Sequence, residues 1–216
     1  MIRLSVSDLE SWRYLKANED ATLEDIVARL SHKEPPTPQM EAGRALAKLF
    51  EEVTPRSIDA WTSGDGWRFR FEIDGARFAL PAVRELKGEM VFATPSGPVT
   101  LVGMVDGLDG LVVSDQKLTE RFDAERYLDS LQWRAYLVMF WAREFRYDIF
   151  VGKYDDREVT ITEYHPIRFY AYPNIRDDVQ RAVNDLAAVI ATYLPERVTP
   201  IAAPPPQVGD PPQRRS

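Results

Sequence analysis

The chain has 216 residues, 44% hydrophobic and 28% charged, a formal net charge of −7, no cysteine and two histidines. That length suits one domain with a sizeable core, and the missing cysteines exclude disulfides, a thiolate nucleophile and an iron–sulfur cluster. His32 and His165 are too few for a histidine-rich zinc site, so a metal here would be held by oxygen; without a long apolar run or a signal-peptide pattern, the expectation is a cytoplasmic protein with no membrane span.

In chain order, Ser7-Asp8-Leu9-Glu10 forms a capping-box pattern, and Leu9, Trp12 and Leu15 follow at helical spacing, which predicts a first helix over 8–17. Thr22, with Asp25 three residues on, caps a second over 23–30. Pro35-Pro36-Thr37-Pro38 separates it from a third over 38–53, with Thr37 as N-cap and Pro38 in the first turn. Strands are predicted at 67–73, 77–80, 89–94, 99–106 and 111–117, the first two joined by an Asp74-Gly75 turn. Alternation in Trp67-Arg68-Phe69-Arg70-Phe71 marks a half-exposed sheet edge with both arginines on one face, where solvated charge explains them more simply than contact with phosphates. A helix over 124–144 carries an apolar stripe from Leu128 to Phe145; strands at 145–154 and 158–164 and a helix over 175–194 follow, with His165 a structural residue at a strand end. After Thr199 the chain turns Pro-rich and cannot bury a core, so the expected division is a domain at 1–197 and a disordered tail at 198–216.

The chemistry concentrates in the predicted hairpin 98–117. One apolar run, Val99 to Val105, leads into Asp106; a second, Leu111 to Val113, leads into Asp115-Gln116-Lys117, with Gly107 and Gly110 between them. Two acids and an amine at the ends of buried strands are costly unless compensated, and a divalent cation is the obvious compensation. Glu85-Leu86-Lys87 offers a rival acid-x-lysine, but its nearest upstream acid, Asp74, serves a turn. Arginines outnumber lysines 21 to 6, which gives each lysine more weight.

Asp106, followed nine residues later by Asp115-x-Lys117, resembles the signature of the PD-(D/E)xK nuclease superfamily. Gln132 and Tyr136 match the Gln-x-x-x-Tyr pattern of its RecB-like branch, Gly103-x-x-Asp106 its Gly-x-x-Asp, and Ser7, Leu9 and Trp12 its Ser-x-Leu-x-x-aromatic start. The resemblance implies an α+β, restriction-endonuclease-like fold, a central mixed sheet flanked by helices. It implies Mg²⁺ or Mn²⁺ held by Asp106, Asp115 and the Gln116 carbonyl, with Lys117 activating water and its pKa depressed by the cation. Gln132, Tyr136, Ser7 and, on the same helical line, Arg143 would face DNA. The activity implied is that of an exonuclease in recombination or repair, of a kind phages encode, working with a single-strand annealing protein or a helicase; no Walker A motif is present, so a helicase would be a separate chain.

The chain also departs from the pattern. Where Gly43-x-x-x should reach a metal-binding histidine it reaches Ala47; Glu51, four residues on and on the same face, is the replacement ligand, with Glu41 and Glu52 as weaker ones. The net charge of −7 is unusual for a DNA-binding protein. Two other readings follow: a degenerate nuclease fold that holds DNA or a recombination partner without cutting, and an unrelated α+β interaction protein in which Asp106, Asp115 and Lys117 stay apart.

Overall fold

A computed structural model describes residues 1–31, 35–52, 60–63, 65–73 and 80–198; His32, the Asp74-Gly75 turn, most of the strand expected at 77–80 and the Pro-rich tail lie outside the described residues. The order is β1 (Ile2–Ser5), α1 (Val6–Ala17), α2 (Leu23–Leu30), α3 (Pro38–Glu52), β2 (Ala60–Thr62), β3 (Arg68–Phe71), β4 (Val83–Thr94), β5 (Gly97–Asp109) and β6 (Val112–Thr119). It continues with α4 (Ala124–Leu128), α5 (Leu131–Met139), β7 (Glu144–Asp155), β8 (Glu158–Tyr170), α6 (Ile175–Tyr193) and a 3₁₀ turn at Pro195–Arg197.

The N-terminus corrects the predicted start. Ile2 and Leu4 are buried while Arg3 is exposed, the alternation of a strand, and β1 lies parallel to β5 from Ile2↔Val99 to Ser5↔Val102. The helix therefore begins at Val6, capped by Ser5 rather than Ser7: Ser5 Oγ accepts the Asp8 N–H at 3.0 Å, and Asp8 Oδ2 accepts the Ser5 N–H at 2.8 Å. Thr22 and Asp25 form the expected box on α2, and Thr37 Oγ accepts the Met40 N–H at the start of α3.

The helix expected over 124–144 is broken. Asp129 ends α4, Ser130 caps α5 by accepting the Gln132 N–H at 3.1 Å, and the chain leaves α5 at Phe140 and turns at Trp141 with φ 53°. Ala142 and Phe145 are buried as the stripe required, but the first lies in the turn and the second on β7. β8 runs on to Tyr170, so His165 sits within a strand, stacked on Phe122 at 4.0 Å between ring centroids and 2.7 Å from Glu163 Oε2.

The strands form one mixed sheet in the order β1-β5-β6-β7-β8-β3-β2, with β4 paired to β5. Three pairs are parallel, β1/β5, β6/β7 and β3/β8, and the others antiparallel. β3 is thus inside the sheet, not at its edge; Arg68 and Arg70 do share an exposed face, where both pair with Glu158 at 3.3 and 3.7 Å. One core joins α1, α5 and α6 to the sheet through Leu9, Tyr147, Val183 and Leu186; a second seats α3 through Leu46, Leu49 and Phe50 on Phe69, Phe150 and Ile161. Each fully buried Leu or Phe stabilises the fold by about 1.5–3 kcal/mol. Val198 bridges to Ile2, so the folded body reaches one residue past the expected boundary. No described helix is long and apolar enough to cross a membrane.

Candidate functional site

β5 makes the site by having more neighbours than its edges can hold in register. β4 follows one edge from Val83↔Leu108 to Thr94↔Gly97; on the other, β1 takes Val99 to Val102 and β6 takes Gly107 to Asp109. Between these two, Gly103 to Asp106 have no strand partner on that edge among the described residues, and the sheet forks. Side chains fill the fork: Tyr136 of α5 donates its hydroxyl to Met104 O at 2.8 Å, and Asp106 Oδ2 accepts the Gln116 N–H at 2.6 Å.

Asp115 and Lys117 are two apart on β6 and so share a face. Asp115 is 3% exposed; its Oδ1 accepts from Gln132 Nε2 at 2.9 Å, while Oδ2 lies 2.5 Å from Lys117 Nζ and accepts no hydrogen bond of normal geometry. The Lys117 side chain is 34% exposed, so solvent reaches it. Gln132 is itself oriented. Tyr147 OH donates to its Oε1 at 3.2 Å, the Tyr147 and Ser130 hydroxyls are 3.0 Å apart, and Glu10 Oε2 accepts both Ser130 Oγ at 3.0 Å and the Leu131 N–H at 2.8 Å. A polar chain from α1 therefore fixes which end of the Gln132 amide faces Asp115.

Burial pushes Asp106 up to about 7, the Asp115 charge adding to it, while Lys117 and the Gln116 N–H pull the other way and Glu51 adds a little more. Asp115 is also raised by burial, against Lys117. Burial alone would lower Lys117, but the charges of Asp115 and Asp106 outweigh it and hold its pKa above the ordinary value. The expected depression of Lys117 is therefore not what these carboxylates produce by themselves.

Asp106, Asp115, Lys117, Gln132 and Tyr136 come together in this fork. Ser7 is near: it is exposed, 2.8 Å from Ser5 Oγ, and shares a cleft wall with Gln132 and Tyr136. Ala47 and Glu51 both line a cavity of about 10 Å³ beside Asp106 and Gln116. The Glu51 charge reaches Asp106, but among the described residues no three His, Cys, Asp or Glu gather as a metal site would need. The turn that carries Glu51 is fixed elsewhere, by Phe50 stacked on Phe150 at 5.1 Å. Glu41 is exposed, and the Glu52 side chain lies outside the described residues. Arg143 is not brought to the site. It lies in the turn before β7, four residues before the Tyr147 that pairs with Asp115, or roughly 13 Å along the strand at about 3.3 Å per residue.

The rival pair also finds a place. Glu85 is skipped by the β4/β5 register, takes φ 50° and lines the small cavity opposite Asp106, while Lys87 pairs across from Met104. Glu10, Ser130 and Tyr147 were missed; the adjacent capping residues Asp129-Ser130 were the available signal for a helix start there.

Gly103 admits the Tyr136 ring. A Cβ there would stand 2.5 Å from Tyr136 Cε1 and 2.9 Å from Val6 Cγ2, so Gly103→Ala is expected to cost about 1–3 kcal/mol of overpacking, read from denaturant unfolding midpoints. A midpoint equal to wild type would show that the ring moves aside freely.

Among solved structures, the protein SSO0001 aligns with 92% of this chain and 89% of its own, at a TM-score of 0.51 and 13% identity. A candidate exonuclease of Eubacterium rectale aligns over 91% and 83%, at a TM-score of 0.50 and 12% identity. LHK-Exo, an alkaline exonuclease of Laribacter hongkongensis solved with dAMP, aligns over 88% of each chain at a TM-score of 0.43 and 12% identity. No family model and no curated protein matches the sequence. The fold is α+β and restriction-endonuclease-like, a central mixed sheet flanked by helices, as the sequence led one to expect.

Proposed function

We propose that the protein is a metal-dependent DNA nuclease of the PD-(D/E)xK superfamily and its RecB-like branch, acting as an exonuclease in recombination or repair. The observation that carries this reading is the fork in the sheet, where Asp106, Asp115 and Lys117 meet and Gln132 and Tyr136 hydrogen-bond to Asp115 and β5. A neighbour in fold that bears the name of a candidate exonuclease adds support.

The donor set suits Mg²⁺ or Mn²⁺. Two buried carboxylates share one lysine, Asp115 Oδ2 faces that lysine and accepts no hydrogen bond of normal geometry, and the Gln116 carbonyl can complete an all-oxygen set. A divalent cation bound by these groups would supply neutralisation of the charge that builds on a phosphodiester during hydrolysis. The chain's own part is then to position. Asp106 and Asp115 hold the acidic floor, Lys117 orients a water and offsets phosphate charge, and Gln132 and Tyr136 fix the two strands that carry the acids. Their hydrogen bonds are spent on this frame, so the DNA-facing role expected of them falls in part to other residues.

Ala47 in the histidine's place, and the absence among the described residues of three acids gathered as a metal site would need, favour a second reading, a nuclease fold that binds DNA or a recombination partner without cutting. Linear and covalently closed circular DNA, labelled at the 5′ or 3′ end, decide between them. With Mg²⁺ or Mn²⁺ the linear substrate should lose its label progressively while the circle survives. Retention of both DNAs without product would sink hydrolysis and leave the binding module; cleavage of the circle would make it an endonuclease.

A further inference from the structure

Beside the fork, a cleft of about 680 Å³ runs from Met104, Gln132 and Tyr136 toward Ser5, Arg3 and Lys87. We infer that this cleft holds a short stretch of single-stranded DNA leading to the carboxylates, and that Lys87 grips its backbone; the inference rests on the nuclease reading and names the form of its substrate. Charge comes first. Arg3 is paired with Glu89 at 3.7 Å, so the two cancel, whereas exposed Lys87 forms no ion pair among the described residues and leaves the cleft a net positive charge. Its place is fixed by register, since Lys87 pairs across from Met104, whose carbonyl takes the Tyr136 hydroxyl at the fork. The ammonium therefore stands at the same level of the sheet as the site.

Size selects the substrate. A volume of about 680 Å³ falls within the range of small-ligand clefts, about 300–1,000 Å³, which suits a few nucleotides of one strand and not a duplex whose major groove alone is about 12 Å wide. The wall has the two elements that single-strand sites combine, a cation for the backbone and apolar surface for a base, here Met104 at 40% exposure beside the Tyr136 ring. Gly88 and Gly103, opposite each other in the β4/β5 ladder, leave room for the Phe140 and Tyr136 rings that α5 and its C-terminal cap pack against the sheet beside the cleft. The cleft also explains how an acidic chain can take DNA, because one local cation decides the field where net charge does not.

The test is a titration of the metal-free protein with a short labelled single-stranded oligonucleotide and with a blunt duplex of the same sequence, at two salt concentrations. Wild type should bind the single strand more tightly. Lys87→Glu should weaken it at least about tenfold and flatten the salt dependence by about one contact, whereas Lys153→Glu, a charge-matched change on β7, should leave it unchanged. Equal binding by Lys87→Glu, or a duplex held as tightly as the single strand, overturns the cleft. The nuclease reading is judged separately: if Lys87→Glu loses binding but wild type cuts nothing with Mg²⁺ or Mn²⁺, the cleft stands and hydrolysis falls. Both replaced positions are exposed, so unfolding midpoints near wild type will show that folding is not the cause.

Discussion

Lys117→Ala and Asp115→Asn should each remove at least about a hundredfold of the Mg²⁺-dependent degradation of linear DNA, the scale of losing a key electrostatic group at a reacting centre. The two act differently. Lys117→Ala removes the one side-chain cation among the described residues that faces Asp115 Oδ2, so in the metal-free protein two buried carboxylates remain with nothing of opposite sign between them, and with metal bound no ammonium is left to orient the water. Asp115→Asn keeps the shape and an oxygen for Gln132 but puts an amide where a carboxylate faced the ammonium. Both should retain the folded far-UV circular dichroism spectrum, which separates lost chemistry from lost structure. Degradation at wild-type rates by both variants would end the assignment of this fork as a catalytic centre.

The meeting of Asp106, Asp115, Lys117, Gln132 and Tyr136 was legible because it rests on local spacing. Asp115 and Lys117 fall on one face by strand alternation, Gln132 and Tyr136 fall one turn apart on a helix, and a glycine-broken hairpin returns Asp115 to Asp106. What was not legible depends on contacts between distant parts of the chain. β1 is four residues long and is a strand because β5 lies beside it, which moved the cap from Ser7 to Ser5. Glu10 meets Ser130 across 120 residues, a pairing no periodicity encodes. The break at Ser130 was visible as a capping residue, but the apolar stripe across 124–144 concealed it. Arg143 fell with that helix, since its expected position depended on a continuity the chain does not have. Lys87 was set aside because its nearest upstream acid, Asp74, serves a turn, whereas β4 and β5 place it at the level of the fork by pairing.

Stability of the metal-free protein should carry a pH dependence that belongs to Asp106. Its folded pKa of about 7 stands above the ordinary 3.8, so between these values the folded state holds a proton that the unfolded chain has released. That contribution favours the fold in acid, falls away as pH rises through the interval, and is fully lost above about 7. At about 1.36 kcal/mol per unit, the difference between pH 4 and pH 8 is on the order of 4 kcal/mol. Other carboxylates act in the opposite direction: Asp25 and Asp65 sit below their ordinary value through hydrogen bonds from Thr22 and Ser63, and they lose stability in acid. The measurement is therefore the difference between wild type and Asp106→Asn, unfolded in denaturant with a chelator across that range. The asparagine keeps an oxygen for the Gln116 N–H and sheds the charge that burial, Asp115 and Glu51 oppose, so the variant should match wild type near pH 4 and exceed it at pH 8. Adding Mg²⁺ at pH 8 should raise the wild-type midpoint and close much of that gap, with little effect on the variant. Curves that stay parallel from pH 4 to pH 8 would mean that Asp106 ionises as it does in the unfolded chain, and the case for a cation as its compensation would lose its electrostatic ground.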